Sequence, residues 1–211
     1  MLSLVLALVL VTIVMGEGCC PYDAWEGTFG LVTGTEQGGK SHLTRGALTL
    51  HVDSAKKIIV SEGGLEVDGY GFQLKAILDF EKGMEYDIVN GKCTTKQLGP
   101  WKSQCIPDDA VVVQNTYFGA GSEKVDVKTY LYKENGLQVY NTVTASGCIP
   151  IVSVQSGITM EGVPTVTVWE FSGITQGVKD QSIFNISAIC SPENPLQRFL
   201  NSHRWRRSVF P

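Results

Sequence analysis

The stretch VDVKTYLYKENGLQVYNTVT, residues 125–144, has the pattern of a β-hairpin. Apolar residues alternate with polar ones on both sides of a central turn, which is typical of strands with one buried face. The turn contains Asn135 and Gly136, a pair that readily adopts the positive φ angles of a two-residue hairpin loop. The apolar residues expected to face one another are Val125, Val127 and Leu131 on one strand and Leu137, Val139 and Val143 on the other.

The same alternation recurs along most of the chain. Asn90 and Gly91 repeat the hairpin signal, and β-rich runs follow at residues 149–158 and 165–171. About ten or eleven short strands at this spacing indicate an all-β, mainly antiparallel fold of the sandwich or barrel kind. The longest connection, residues 98–109, is expected to cross between two groups of strands while a disulfide holds it down.

The two ends of the chain lack the strand alternation of the middle. Residues 2–15 are almost entirely apolar, and this run is too short to span a hydrocarbon core of roughly 30 Å. Small residues follow it, so residues 1–16 are predicted to be a signal peptide, and the protein is predicted to be secreted without a membrane span. The β domain is then residues 17–190, and residues 191–211 form a C-terminal helix or tail, with Leu196, Phe199 and Leu200 at helical spacing.

Composition and motifs argue against two classes of function. The formal net charge is −4 and charged residues make up 18% of the chain, so the surface lacks the basic field that nucleic-acid binding requires. The sequence contains no Gly-x-Ser-x-Gly, no His-Glu-x-x-His and no phosphate-binding glycine loop. We therefore expect a binding protein, not an enzyme.

All six cysteines follow the predicted cleavage site. An even number of cysteines in an oxidising compartment indicates three disulfides. A zinc site is disfavoured because Cys-x-x-Cys is absent and the three histidines have no ligand spacing. The cysteines are Cys19, Cys20, Cys93, Cys105, Cys148 and Cys190.

Other side chains suggest binding or modification. The carboxylates of Asp108 and Asp109, and those within residues 62–68, offer hard oxygen ligands for calcium, although no EF-hand loop is present and solvated loop carboxylates are the alternative. Asn185 begins the glycosylation sequon Asn-Ile-Ser, which predicts an exposed segment. The basic run at residues 204–207 matches the spacing that secretory convertases cut, and an uncut basic tail is the alternative.

Four stretches resemble the ependymin family, in consistent order from Cys19 to Cys190. CCPYDAWEG is similar to its Cys-x-x-Pro-x-x-Trp-Glu-Gly opening, with the proline one place early. NGKCTTKQL resembles a strand whose cysteine has a Lys/Thr-rich setting. The other two, SGCIPI and ITQGVKDQSIFNISAIC, resemble its Cys-x-Pro-Val segment and its Phe-x-x-x-x-x-Cys end. These stretches begin at Cys19, Asn90, Ser146 and Ile174.

The resemblance implies a fold and a disulfide pattern. The fold is two antiparallel sheets, stacked and curved into a half-open barrel like that of bacterial lipoprotein carriers, with an apolar cavity between them. The family frame implies the pairs Cys19–Cys148 and Cys93–Cys190, which leaves Cys20 and Cys105 for each other. The neighbouring Cys19 and Cys20 are interchangeable on sequence alone.

The resemblance also implies a function. The family contains secreted or lysosomal glycoproteins linked to calcium binding and cell-matrix adhesion, and some of its members form homodimers. Two functions therefore stay open: carriage of a hydrophobic molecule such as a lipid or fatty acid, and calcium-dependent adhesion to the extracellular matrix. For the first, strand alternation and the resemblance together predict a ligand cavity lined by Leu50, Phe72, Leu74, Phe80, Tyr86, Val127, Val139 and Trp169.

Overall fold

The computed structural model describes residues 19–190, and these form an antiparallel β structure with two short 3-10 turns near its end. The predicted all-β fold is confirmed. The strands are β1 (Ala24–Gln37), β2 (Lys40–Asp53), β3 (Ile58–Val67), β4 (Tyr70–Asp79), β5 (Met84–Val89), β6 (Lys92–Gln97), β7 (Val111–Ala120), β8 (Glu123–Glu134), β9 (Leu137–Thr144), β10 (Pro150–Ile158) and β11 (Pro164–Gln176). The predicted signal peptide, C-terminal helix and convertase site lie outside the described residues.

Within residues 19–190 all eleven strands belong to one open sheet, in the order β6-β5-β4-β3-β2-β1-β11-β10-β9-β8-β7. The two expected layers are therefore not separate sheets, because β1 and β11 are hydrogen-bonded along ten residue pairs and join the two halves. The sheet does not close, and its edges are β6 and β7.

Two tight turns follow the sequence signals closely. Asn135 and Gly136 have φ angles of 50° and 85° and connect β8 to β9. Asn90 and Gly91, with φ angles of 48° and 77°, connect β5 to β6 in the same way. Only residues that tolerate positive φ fit such turns, so these dipeptides set the register of both hairpins.

The connection between β6 and β7 contacts both halves of the sheet. Trp101 packs edge-on against Phe80 at the end of β4, with ring centroids 5.1 Å apart. The next residue, Lys102, places its Nζ 2.8 Å from Glu134 Oε1 at the end of β8. Further along, Cys105 is bonded to Cys20. The segment therefore crosses between two groups of strands and is held by a disulfide, as its sequence predicts.

The structure has the three disulfides that the resemblance implies. They are Cys19–Cys148, Cys20–Cys105 and Cys93–Cys190, and they join residues 129, 85 and 97 positions apart. The Cys93–Cys190 bridge is the most buried, since both residues are under 5% exposed. It ties the segment after β11 to the edge strand β6.

The sheet has two faces that are covered differently. We call the side that carries Phe29, Leu48, Phe72 and Trp169 the aromatic face. On the opposite face, Val178 and Phe184 from the segment after β11 pack against β3 and β4. That packing closes a small core in which Val60 and Ile77 are fully buried.

Candidate functional site

Large apolar side chains continue across five neighbouring strands on the aromatic face. Phe29 lies opposite Leu48 on one side and opposite Phe171 on the other. Residues directly opposite each other in a sheet point to the same side, so strand pairing carries this apolar surface from β11 to β4. Leu31 opposite Trp169 and Leu65 opposite Phe72 extend the same surface.

The packing of this surface is incomplete. Leu48, Leu65 and Leu74 are at most 5% exposed and form a core cluster. Phe29, Leu31 and Phe72, which pack against that cluster, stay partly exposed, as does Trp169. An apolar surface that its own chain only half covers is the type of surface to which a hydrophobic ligand binds.

Three buried polar atoms lie on the aromatic side without a hydrogen-bond partner among the described residues: Trp25 Nε1, Asn141 Oδ1 and Asp87 Oδ1. The Nδ2 of Asn141 donates to Tyr132 Oη over 3.4 Å, so the amide is satisfied at one end only. Buried polar groups are normally paired, because an unpaired one costs about 1–3 kcal/mol. Each of these atoms would therefore be stabilised by a polar group that reached it.

An acidic pair lies at the β5–β6 end of the aromatic face. Lys96 Nζ is 2.8 Å from Glu85 Oε1 and 3.6 Å from Asp87 Oδ2. Burial away from water, and secondly the charge of Glu85, raise the pKa of Asp87 to about 6. One lysine thus partly neutralises two carboxylates, and Asp87 gains a proton in mildly acidic conditions.

The eight predicted ligand residues do not all lie together. Register places Leu50, Phe72, Leu74, Val139 and Trp169 on the aromatic face. Tyr86 is paired with Ile77 and packs in the core of the opposite face. Val127 also points to the opposite side, and Phe80 lies beyond the end of β4.

Sequence reasoning missed Phe29, Leu31 and Phe171, which are central to the aromatic face. Glycines interrupt the strand that carries Phe29 and Leu31, as in GTFGLVTG at residues 27–34, so its alternation is hard to recognise. Phe171 lies in β11, at the end of the β-rich run 165–171. Period-two patterns show which residues of one strand share a face, but they do not show which faces of distant strands coincide.

The opposite face has an open groove of about 770 Å³ across β11, β1, β2, β3 and β4. Its floor is backbone, because Gly30 and Gly64 have no side chain to fill it. Arg45 and Glu66, with Nη2 and Oε1 2.8 Å apart, form part of its wall. The groove is shallow and open to solvent, and apolar residues such as Val168 line it beside these charged ones.

The predicted calcium ligands are spread out. Glu62, Glu66 and Asp68 are each within 3.4 Å of a cationic or histidine partner on a neighbouring strand. Asp108 and Asp109 are exposed in the connection before β7. Among residues 19–190, no group of three or more His, Cys, Asp or Glu side chains is arranged to hold a metal ion.

These features define a class of protein: a disulfide-bonded, all-β protein with one extended and partly exposed apolar face. None of its described helices is both long and apolar enough to cross a membrane. The sequence profile of the ependymin family matches residues 68–190. The chain belongs to the ependymin family, which confirms the resemblance.

One related protein and two solved structures are each similar to this chain over most of its length. Ependymin-related protein 2 of Haliotis asinina is 26% identical over 198 residues, which is 89% of this chain and 96% of that protein. A LolA superfamily protein from Nitrosomonas europaea is 10% identical, with a TM-score of 0.33 over 79% of this chain and 91% of its own. A DUF1329 family protein from Desulfovibrio piger is 9% identical, with a TM-score of 0.33 over 80% of this chain and 92% of its own.

Proposed function

We propose that this protein is a secreted carrier that binds a hydrophobic molecule, such as a lipid or fatty acid, against its aromatic face. The observation that carries the proposal is the row of half-buried apolar side chains from β11 to β4. Covering such side chains stabilises a complex by roughly 25 cal/mol for each Å² of apolar surface removed from water.

The buried polar atoms on the same face favour an amphiphilic ligand over a pure hydrocarbon. Trp25 Nε1 can donate one hydrogen bond, and Asn141 Oδ1 and Asp87 Oδ1 can accept one each. A ligand with a carboxyl, hydroxyl or amide group near an apolar chain offers the complementary atoms. Such a group recovers interactions that the free protein lacks.

The proposal also covers where the protein is located and how it is modified. Three disulfides fit an oxidising, extracellular location, and a lysosomal location is equally compatible with them. Asn185 is exposed, as a glycosylated asparagine must be. Calcium binding and matrix adhesion stay predictions from the resemblance, since no arrangement of the described carboxylates favours them.

Native mass spectrometry of the secreted protein, followed by organic extraction, tests the function. We expect a bound amphiphile that extraction removes, and a fluorescent fatty acid that binds the stripped protein. Leu31→Gln should weaken that binding because it places an amide in the apolar row. The matched control is Val32→Gln, since Val32 is the next residue and points to the opposite face with 50% exposure.

Two results would oppose the proposal. One is a protein that carries no lipid and binds no fatty acid probe. The other is equal loss of binding in Leu31→Gln and Val32→Gln, which would show that the aromatic face is not where the probe binds.

A further inference from the structure

On the opposite face, apolar side chains continue across four neighbouring strands and remain open to solvent. They lie directly opposite one another in a row from β1 to β9, formed by Val32, Val168, Val154 and Tyr140. Val32 is 50% exposed and Tyr140 is 38% exposed, and the two between them are partly exposed. The groove described above begins beside Val32 and Val168 and extends to β4. This face therefore has an apolar row and a hollow side by side, and residues 19–190 fill neither.

A second hollow leads from the groove to the end of the described chain. It has a volume of about 420 Å³ and shares residues of β4, such as Gln73, with the groove. Ile88 lines it and is paired with Cys93, whose disulfide partner is Cys190. Residues that pair directly across two strands point to the same side of the sheet, so Cys190 is bonded on the opposite face. The chain thus passes to residues 191–211 beside this hollow, on the same face as the groove.

The net charge of residues 191–211 is opposite to that of the domain. These 21 residues contain four arginines and one glutamate, which gives a net charge of +3, and they include two phenylalanines, two leucines and a tryptophan. Residues 19–190 contain 13 lysines and arginines and 19 carboxylate side chains, which gives −6. Glu170 lines the groove, is exposed and forms no salt bridge with another residue of 19–190. A basic segment with large apolar side chains therefore complements both the charge and the apolar row.

The segment is also long enough to reach both. From β6 to β11 the sheet has six strand spacings, which is about 29 Å at about 4.8 Å each. An extended chain covers about 3.3 Å per residue, so residues 191–199 are enough to cross this distance. Pro192 and Pro195 favour an extended backbone at the start of the segment. Arg198 then comes close to Glu170, and the residues after it reach the apolar row.

We infer that residues 191–211 bind in the groove and over the apolar row of their own chain, with Arg198 paired to Glu170. The large apolar side chains of the segment are removed from water there, and the glycine floor lets its backbone approach the sheet. Because the segment is joined to the domain through Cys190, its effective concentration at the groove is high. The chain itself then covers the opposite face, and the aromatic face is left open.

Photo-cross-linking within the intact secreted protein tests this position. The photoreactive analogue p-benzoylphenylalanine replaces Phe199, and the cross-linked peptides are sequenced after irradiation of a dilute sample. We expect cross-links within one molecule to β1 or β11, the strands that carry Val32 and Glu170. Gly30→Leu should reduce their yield several-fold, because its side chain fills the floor of the groove.

Gly34→Leu is the matched control for this variant. Gly34 lies on the same side of β1 as Gly30 but does not line the groove, and a Cβ there meets nothing within 4 Å. A Cβ on Gly30 meets nothing closer than 4.0 Å, so both variants should fold. The cross-link yield in Gly34→Leu should therefore equal that of the wild type.

Charge reversal tests the pairing of Arg198 with Glu170. Glu170→Arg should lower the cross-link yield, and combining it with Arg198→Glu should restore the yield because the two charges attract again. The inference is overturned if cross-links form only with the aromatic face, only between molecules, or not at all. It is also overturned if Gly30→Leu or Glu170→Arg keeps the wild-type yield.

Discussion

Gly63 and Gly64 are neighbours in β3, yet their surroundings differ. A Cβ on Gly63 would lie 2.4 Å from the carbonyl oxygen of Ala47, which is backbone and cannot easily move. A Cβ on Gly64 would meet only the side-chain amide of Gln73, at 3.4 Å. The first glycine is thus required by the close approach of β2, whereas the second only leaves the groove open.

This difference gives a prediction with an internal control. Gly63→Ala should lower the free energy of unfolding by about 2–3 kcal/mol, because β2 and β3 must move apart. Gly64→Ala should change it by less than about 1 kcal/mol, since an alanine fits an extended strand better than glycine does. Urea unfolding of both variants measures the difference. Equal loss in the two variants would show that the strands are not as close as described.

The buried Asp87 predicts a pH dependence. Its pKa is raised to about 6 by burial, so between about pH 4 and pH 6 the folded protein holds a proton that the unfolded chain has lost. Stability should therefore fall as the pH rises through this window. The side chain of Asp87→Asn cannot ionise, so this variant should lose less stability than the wild type between about pH 4 and pH 6. The unfolding midpoint of each protein at these two pH values measures the difference.

A conservative control is available next to this site. Thr94 lies directly opposite Asp87 on β6 and is exposed, so Thr94→Ser should retain the wild-type pH dependence. If Asp87→Asn shows the same decline with pH as the wild type, another carboxylate is responsible.

At the level of elements, the turn signals were reliable but the predicted facing of the strands was wrong. Leu131 pairs with Tyr140, so it points to the other side of the sheet from Val139. Asn135-Gly136 and Asn90-Gly91 identified two hairpins because positive φ restricts residue choice. The position of Tyr86 on the opposite face was not predictable in this way. The side to which Tyr86 points depends on how β5 pairs with β4. Its burial depends on residues that follow β11 and pack over it. Neither can be read from the sequence of β5 itself.

The Cys93–Cys190 disulfide should contribute more to stability than the Cys20–Cys105 disulfide. The double variant Cys93→Ser, Cys190→Ser removes a cross-link worth about 4–5 kcal/mol in the chain-entropy model and leaves two buried hydroxyls. The double variant Cys20→Ser, Cys105→Ser removes a comparable cross-link, but Cys20 is exposed and Cys105 partly so. Secreted yield and thermal midpoint should therefore fall further for the first. A larger fall for the second would contradict the burial argument.

Over the whole molecule, the all-β class and the antiparallel arrangement followed from the sequence, while the continuity of the sheet did not. The two halves are joined by β1 and β11, whose residues are about 140 positions apart in the sequence. Five of the eight predicted ligand residues share the aromatic face. Which face of each strand they occupied became clear only when the register of all eleven strands was known.

Binding of an amphiphile to the aromatic face can be located on the protein residue by residue. The most direct measurement is photo-cross-linking with a fatty acid that carries a diazirine on its acyl chain, followed by peptide sequencing to locate each label. We expect labels on Phe29, Leu31, Phe72 and Trp169, and their loss when unlabelled fatty acid competes. Labels confined to groove residues of the opposite face, such as Val32 and Val168, would contradict it.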